Sequence, residues 1–86
     1  MIFEFAEIRC ILDILRILKK GKSKYSIMFK ETKVSHTTLQ NCLKELIERD
    51  FIKRIVIDHM VIDYEINEKG EKLLIKLNEL REIIRN

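Results

Sequence analysis

Val34-Ser35-His36-Thr37-Thr38-Leu39-Gln40-Asn41-Cys42-Leu43-Lys44-Glu45-Leu46, leading directly to Arg49-Asp50-Phe51-Ile52-Lys53-Arg54, is the stretch that decides how this chain folds. Leu39, Cys42, Leu43, Leu46 and Ile47 recur at i, i+3, i+4 and i+7, the spacing of one helix face. Ser35 is suited to the N-cap, where its hydroxyl can accept a free amide of the first turn. Asp50 falls where a short polar side chain tolerates a left-handed backbone and ends the helix. The opposite face carries Ser35, His36, Thr37, Gln40, Asn41 and Lys44. Burying an inner face places no demand on those positions, and these side chains suit contacts to base edges and phosphates.

Working outward, the residues before this helix predict a shorter one over 24–31, capped by Ser23, with Met28 and Phe29 facing inward and Thr32-Lys33-Val34 as the turn. After it, Phe51 to Asp58 and Met60 to Ile66 read as two strands about a turn near Asp58-His59, a hairpin over 51–66. Ile62, Tyr64 and Ile66 share one face by period-two alternation, with Asp63 and Glu65 opposite. Asn67 caps a last helix over 68–85, in which Leu73, Leu77, Leu80 and Ile84 form a stripe widened by Leu74 and Ile83. The first helix, within 1–20, runs from about Phe3 to Lys20 and stops at Gly21 in a left-handed position. Its stripe of Ile8, Ile11, Leu12, Leu15 and Leu18 is flanked by Cys10, Ile14 and Ile17. Such breadth exceeds what one small core needs, so both terminal helices are expected to meet a second copy. Ile8, Ile11, Leu15, Leu73, Leu77, Leu80 and Ile84 are the expected interface.

Composition sets the limits. The 86 residues make one domain, 47% apolar and 36% charged, without proline. No run approaches a membrane span, and the start lacks the basic region and cleavage site of a signal peptide, so the cytoplasm is expected. Net charge is only +3, but residues 19–54 hold ten basic side chains against four acidic, a local +6. Segregation of this kind is the footprint of a phosphate-binding face. Cys10 and Cys42 fall on apolar helical positions and read as small core residues. With His36 and His59 they show no metal-ligand spacing, and no cofactor is expected. A glycine-rich phosphate loop, a nucleophile with a placed base and a glycine-flanked serine are all missing from the sequence, so an enzyme is not expected.

The order helix, helix, turn, helix, hairpin, long helix resembles the winged-helix transcription regulators of the MarR/PadR/ArsR type. The likeness rests on Val34-Ser35-x-x-Thr38-Leu39-x-x-x-Leu43-Lys44-x-Leu46, on Phe51-Ile52-Lys53, and on Tyr64-x-Ile66-Asn67-Glu68-Lys69-Gly70. It looks most like the small archaeal winged-helix DNA-binding proteins that dimerise through a C-terminal helix. The resemblance implies a mainly α fold with a small β-hairpin (α+β), and a homodimer that regulates transcription and associates with the nucleoid. Double-stranded DNA is then the partner, with no membrane and no evident small-molecule ligand. Helix 35–49 would lie in the major groove, where Ser35, His36, Thr37, Gln40, Asn41 and Lys44 meet bases and His36 makes binding pH-sensitive. Lys24, Tyr25, Lys30, Lys33, Lys53 and Arg54 would hold phosphates. The alternatives are a non-specific architectural or chromatin protein and a winged-helix module that binds protein and no DNA. Two positions and the wing tip depart from the pattern. Lys33 stands where such turns often have glycine, and Phe29 fills a usually small slot. The tip Ile57-Asp58-His59-Met60 is apolar and acidic where a reading wing commonly carries Arg or Lys.

Overall fold

The computed structural model describes residues 5–85, with side chains from Glu7 onward. The elements are α1 (Phe5–Lys19), β1 (Ser23–Lys24), α2 (Tyr25–Thr32), α3 (His36–Glu48), β2 (Ile52–Asp58), β3 (Val61–Ile66) and α4 (Glu68–Arg85). The expected helical residues Phe3 and Glu4 lie outside the described part. The architecture is the expected α+β winged arrangement, with one addition. The hairpin is the larger part of a three-stranded antiparallel sheet in the order β1-β3-β2.

That third strand corrects the reading of Ser23. It does not cap α2 but pairs with Tyr64, while Lys24 pairs with Asp63 and stands at the N-cap without a side-chain bond. Two residues of extended chain leave too short a periodic signal to read; only the neighbouring strand makes them a strand. Ser23 is buried, like its ladder partner Tyr64.

α1 is the hub of the core. Cys10, Ile11, Leu12, Ile14, Leu15 and Leu18 are all buried, because α2, α3, α4 and β3 each pack against this helix. The breadth of its apolar surface therefore serves its own fold. Ile11 and Leu15, expected at an interface between copies, are enclosed within the single chain, and so is Leu77 of α4. Met28, Leu39, Cys42, Leu43, Leu46, Ile52, Tyr64 and Leu74 complete the same buried cluster. The thiols of Cys10 and Cys42 face one another as free cysteines. The hydrogen bond between them and burial both push the Cys10 thiol up; the same bond lowers Cys42, against burial.

Three backbone positions mark the junctions. Gly21 follows α1 with φ 150°, a positive angle but not the left-handed helical value expected of it. Lys33 ends α2 at φ 56°, ψ 33°, the left-handed conformation that glycine usually supplies. Asp50 ends α3 with φ 64°, as its side chain suggested. Beyond it, Asn67 joins the wing to α4: Nδ2 donates to the Asp50 carbonyl at 2.6 Å, and Oδ1 accepts the Gly70 amide at 2.8 Å. Asn67 is thus the N-cap the sequence suggested, bonded three residues into the helix.

Candidate nucleic-acid interface

At about 100° per residue, the buried stripe of α3 (Leu39, Cys42, Leu43, Leu46) is opposed by Thr37, Asn41 and Lys44, with Gln40 on their flank. All four are exposed. Gln40 and Lys44 also line an open groove of about 540 Å³, walled by Tyr25, Leu43, Ile47, Ile62 and Tyr64. Lys44 lies 4.0 Å from Glu48, an exposed pair too weak to immobilise it. These side chains can bond to another molecule without opening the core.

The two remaining base candidates hold internal duties. Ser35 caps α3: its Oγ accepts the Thr38 amide at 3.1 Å and donates to Thr38 Oγ1 at 3.0 Å. Its donor is committed to the cap. His36 sits at the margin of the outer face and stacks on Phe29, with centroids 3.7 Å apart and planes 6° from parallel. Tyr25 lies alongside, its ring nearly parallel to both. Its hydroxyl is 2.9 Å from His36 Nδ1. Sequence reasoning missed the part Phe29 plays here, although Tyr25 and Phe29 at i, i+4 put two rings on one helix face. Burial, and after it the neighbouring Tyr64, raises the Tyr25 phenol above its ordinary value.

The expected phosphate contacts divide by location. Lys24, Lys30, Lys33, Lys53 and Arg54 are exposed, and none forms an ion pair among the described residues. The pleat separates Lys53 from Arg54, because successive strand residues point to opposite faces. Arg54 pairs across the ladder with Tyr64 and shares its face, the face that opens on α3. Lys53 pairs with Glu65, and Lys24 with Asp63, on the other face. Lys33 joins Arg9, Arg16 and Lys20 around a polar cleft between α1 and the end of α2. Part of the local positive charge is neutralised at a distance from α3: Lys19 pairs with Glu71 at 3.2 Å and Lys22 with Glu65 at 3.7 Å.

The wing tip is wet and apolar. Met60 is 84% exposed, with Val56 and Ile57 more than half exposed. A register shift between Val56 and Asp58 leaves Ile57 unpaired, the geometry of a bulge. His59 Nδ1 lies 2.9 Å from Asp58. Among the described residues, no group of three His, Cys, Asp or Glu side chains gathers to hold a metal. Among the described residues no helix is long and apolar enough to cross a membrane.

A second exposed surface lies at the far end of α4. Leu80, Ile83 and Ile84 remain exposed beyond Leu77. With Ile8 and Leu12 of α1, Leu77, Leu80 and Ile84 line a groove of about 360 Å³ edged by Arg9, Arg16, Arg81 and Arg85. Ile8 and Leu73 are half-buried.

Comparison with known proteins agrees with this geometry. The family model described as winged helix-turn-helix matches residues 6–85. Among solved structures, a Streptococcus mutans protein superposes with a TM-score of 0.85 at 21% identity, over 99% of this chain and 87% of its own. A PadR family transcription regulator from Clostridium difficile gives 0.76 at 21% identity, covering 88% of this chain and 91% of that one. The adhesin competence repressor of Streptococcus pyogenes gives 0.72 at 16% identity over 90% of this chain, which spans only 59% of that protein. At such identities the likeness is one of fold. No curated protein sequence matches the chain.

Proposed function

Because this chain belongs to the winged helix-turn-helix family, we propose that it is a homodimeric transcription regulator that binds double-stranded DNA with α3 in the major groove. One observation carries the reading: Thr37, Asn41 and Lys44, with Gln40 on their flank, form a solvated row on the side of α3 away from its buried stripe. Gln40 and Asn41 are the adenine readers, each capable of a bidentate pair with N6 and N7. Arg54, on the α3 face of the sheet, together with Lys30 and Lys33 holds phosphates. Lys24 and Lys53, on the opposite face, contribute charge at longer range. The names of two similar folds, a PadR family transcription regulator and a repressor, support a regulatory role. A cytoplasmic, nucleoid-associated location follows from DNA as the partner.

The interface between copies falls on the outer end of α4. Leu80 and Ile84 carry it, with Ile8 at its edge and the half-buried Leu73 further back along α4, because Ile11, Leu15 and Leu77 are already enclosed. Two copies of α3 would then meet half-sites spaced by about 34–36 Å, one turn of duplex.

Selection from random duplexes tests the proposal. The expected product is one motif with two half-sites, bound with an affinity that falls as salt rises. Replacing Gln40 and Asn41 by alanine should remove about 1–3 kcal/mol of discrimination per lost pair while leaving non-specific binding in place. Unchanged binding to every duplex points to an architectural protein. No binding even at low salt points to a protein-interaction module, a reading that the exposed Met60 and Ile57 favour.

A further inference from the structure

His36 and Tyr25 are joined by the shortest polar contact between α2 and α3, 2.9 Å from the phenol oxygen to Nδ1. Three rings stack around that contact with interplanar angles of 6–8°. The stack fixes the imidazole plane, and the hydroxyl touches only one of its two nitrogens. A neutral imidazole carries one proton, and the partner of one nitrogen decides which atom holds it. A phenol is a good donor, and the bare imidazole nitrogen is a good acceptor. The alternative acceptor for the same hydroxyl, the His36 carbonyl, lies at 3.5 Å, the limit of a hydrogen bond.

We propose that Tyr25 is a positioning residue. Its O–H donates to His36 Nδ1, holds the ring in the Nε2–H tautomer, and makes the recognition helix present a fixed donor at its N-terminal turn. This rests on the reading of α3 as the helix in the major groove. The donor matches a base-edge acceptor there: guanine O6 or N7, adenine N7 or thymine O4, with guanine offering two; cytosine, which offers only its N4 donor, is excluded. Phe29 is the platform: its ring keeps the imidazole from rotating about χ2, so Nε2–H leaves α3 in one direction. Tyr25, expected from the sequence to hold a phosphate, acts through His36 instead.

The test has one arm without DNA and one with it. Long-range ¹⁵N–¹H spectra of the full chain at about pH 8, where an ordinary imidazole is neutral, report which nitrogen of His36 carries hydrogen. The expected result is hydrogen on Nε2 with Nδ1 bare. In Tyr25→Phe, which keeps the ring and its stack, the tautomers should mix. Hydrogen on Nδ1 in the wild type, or an unchanged spectrum in Tyr25→Phe, overturns the proposal. In the second arm, Tyr25→Phe should weaken binding to the selected duplex roughly 2- to 10-fold, the worth of one hydrogen bond. The same substitution in a His36→Ala background should change affinity by less than a factor of about 2, since residues acting as one unit are not additive. Equal losses in both backgrounds make Tyr25 a phosphate contact in its own right and refute the positioning role. A locked tautomer in a protein that binds no duplex refutes the assignment of a base acceptor and the function above, while leaving the hold of Tyr25 on His36 standing.

Discussion

Replacing Gly70 by alanine sets two physical effects of opposite sign against each other. Gly70 lies in the first turn of α4, where alanine is favoured over glycine by up to about 1 kcal/mol in a helix interior. On propensity alone the variant gains stability. The packing says otherwise. A Cβ at position 70 runs into the carbonyl oxygen of Phe51 and comes within 2.7 Å of Ile66 Cγ1 and 3.2 Å of the Phe51 carbonyl carbon. The Phe51 backbone has little room to retreat. Its amide donates to the Leu46 carbonyl at 2.9 Å, and its carbonyl accepts from Asn67 at 3.3 Å. Lys69 adds a further tie, donating to the Arg49 carbonyl at 2.7 Å with its ammonium 4.7 Å from the centre of the Phe51 ring. Overpacking costs about 1–3 kcal/mol, and a clash with backbone belongs at the upper end. The net expectation is a loss of about 2 kcal/mol. For a domain of this size each kcal/mol shifts the melting temperature by about 4–8 °C, so Gly70→Ala should melt about 10 °C lower by calorimetry. A variant melting at or above the wild type would refute the reasoning, because helix propensity would then outweigh the close approach of α4 to Phe51 and Ile66.

Two further expectations follow from the described geometry. Lys33→Gly relieves a left-handed non-glycine residue, worth about 1–2 kcal/mol, against about 0.4–1 kcal/mol of added freedom in the unfolded chain. It should melt higher by a few degrees while reducing the slope of log affinity against log salt by about 1; a lower melting temperature contradicts the first half. Leu80→Glu with Ile84→Glu should give a folded monomer by sedimentation velocity, because both side chains are exposed in the single chain. A wild-type protein that sediments as a monomer at every concentration removes the dimer from the proposal.

How much of this was legible beforehand varies with the range of the interaction involved. Ser35 and Asn67 as caps and Asp50 as a helix stop were readable, since each acts on residues within a few positions of itself. The period of the stripe in α3 likewise put Leu39, Cys42, Leu43 and Leu46 on the buried side. What a periodic stripe cannot say is who covers it. Ile11, Leu15 and Leu77 have the same spacing as Leu80 and Ile84, yet the first three are enclosed by the chain's own elements and the last two are not. The strand at Ser23 shows the same limit, as does the separation of Lys53 from Arg54, which depends on a register between two strands.

The outer row of α3 was decided by the sequence alone, because helical periodicity places Thr37, Asn41 and Lys44, with Gln40 on their flank, opposite an apolar stripe whatever the rest of the chain does. The coupling of His36 to Tyr25 and Phe29 was decided only by tertiary structure. Those rings belong to different helices, and their 3.7 Å stack and 2.9 Å hydrogen bond exist because the turn at Lys33 brings α2 and α3 together at one angle. Local order is written in nearest neighbours along the chain, whereas a contact between elements depends on how all of them pack at once.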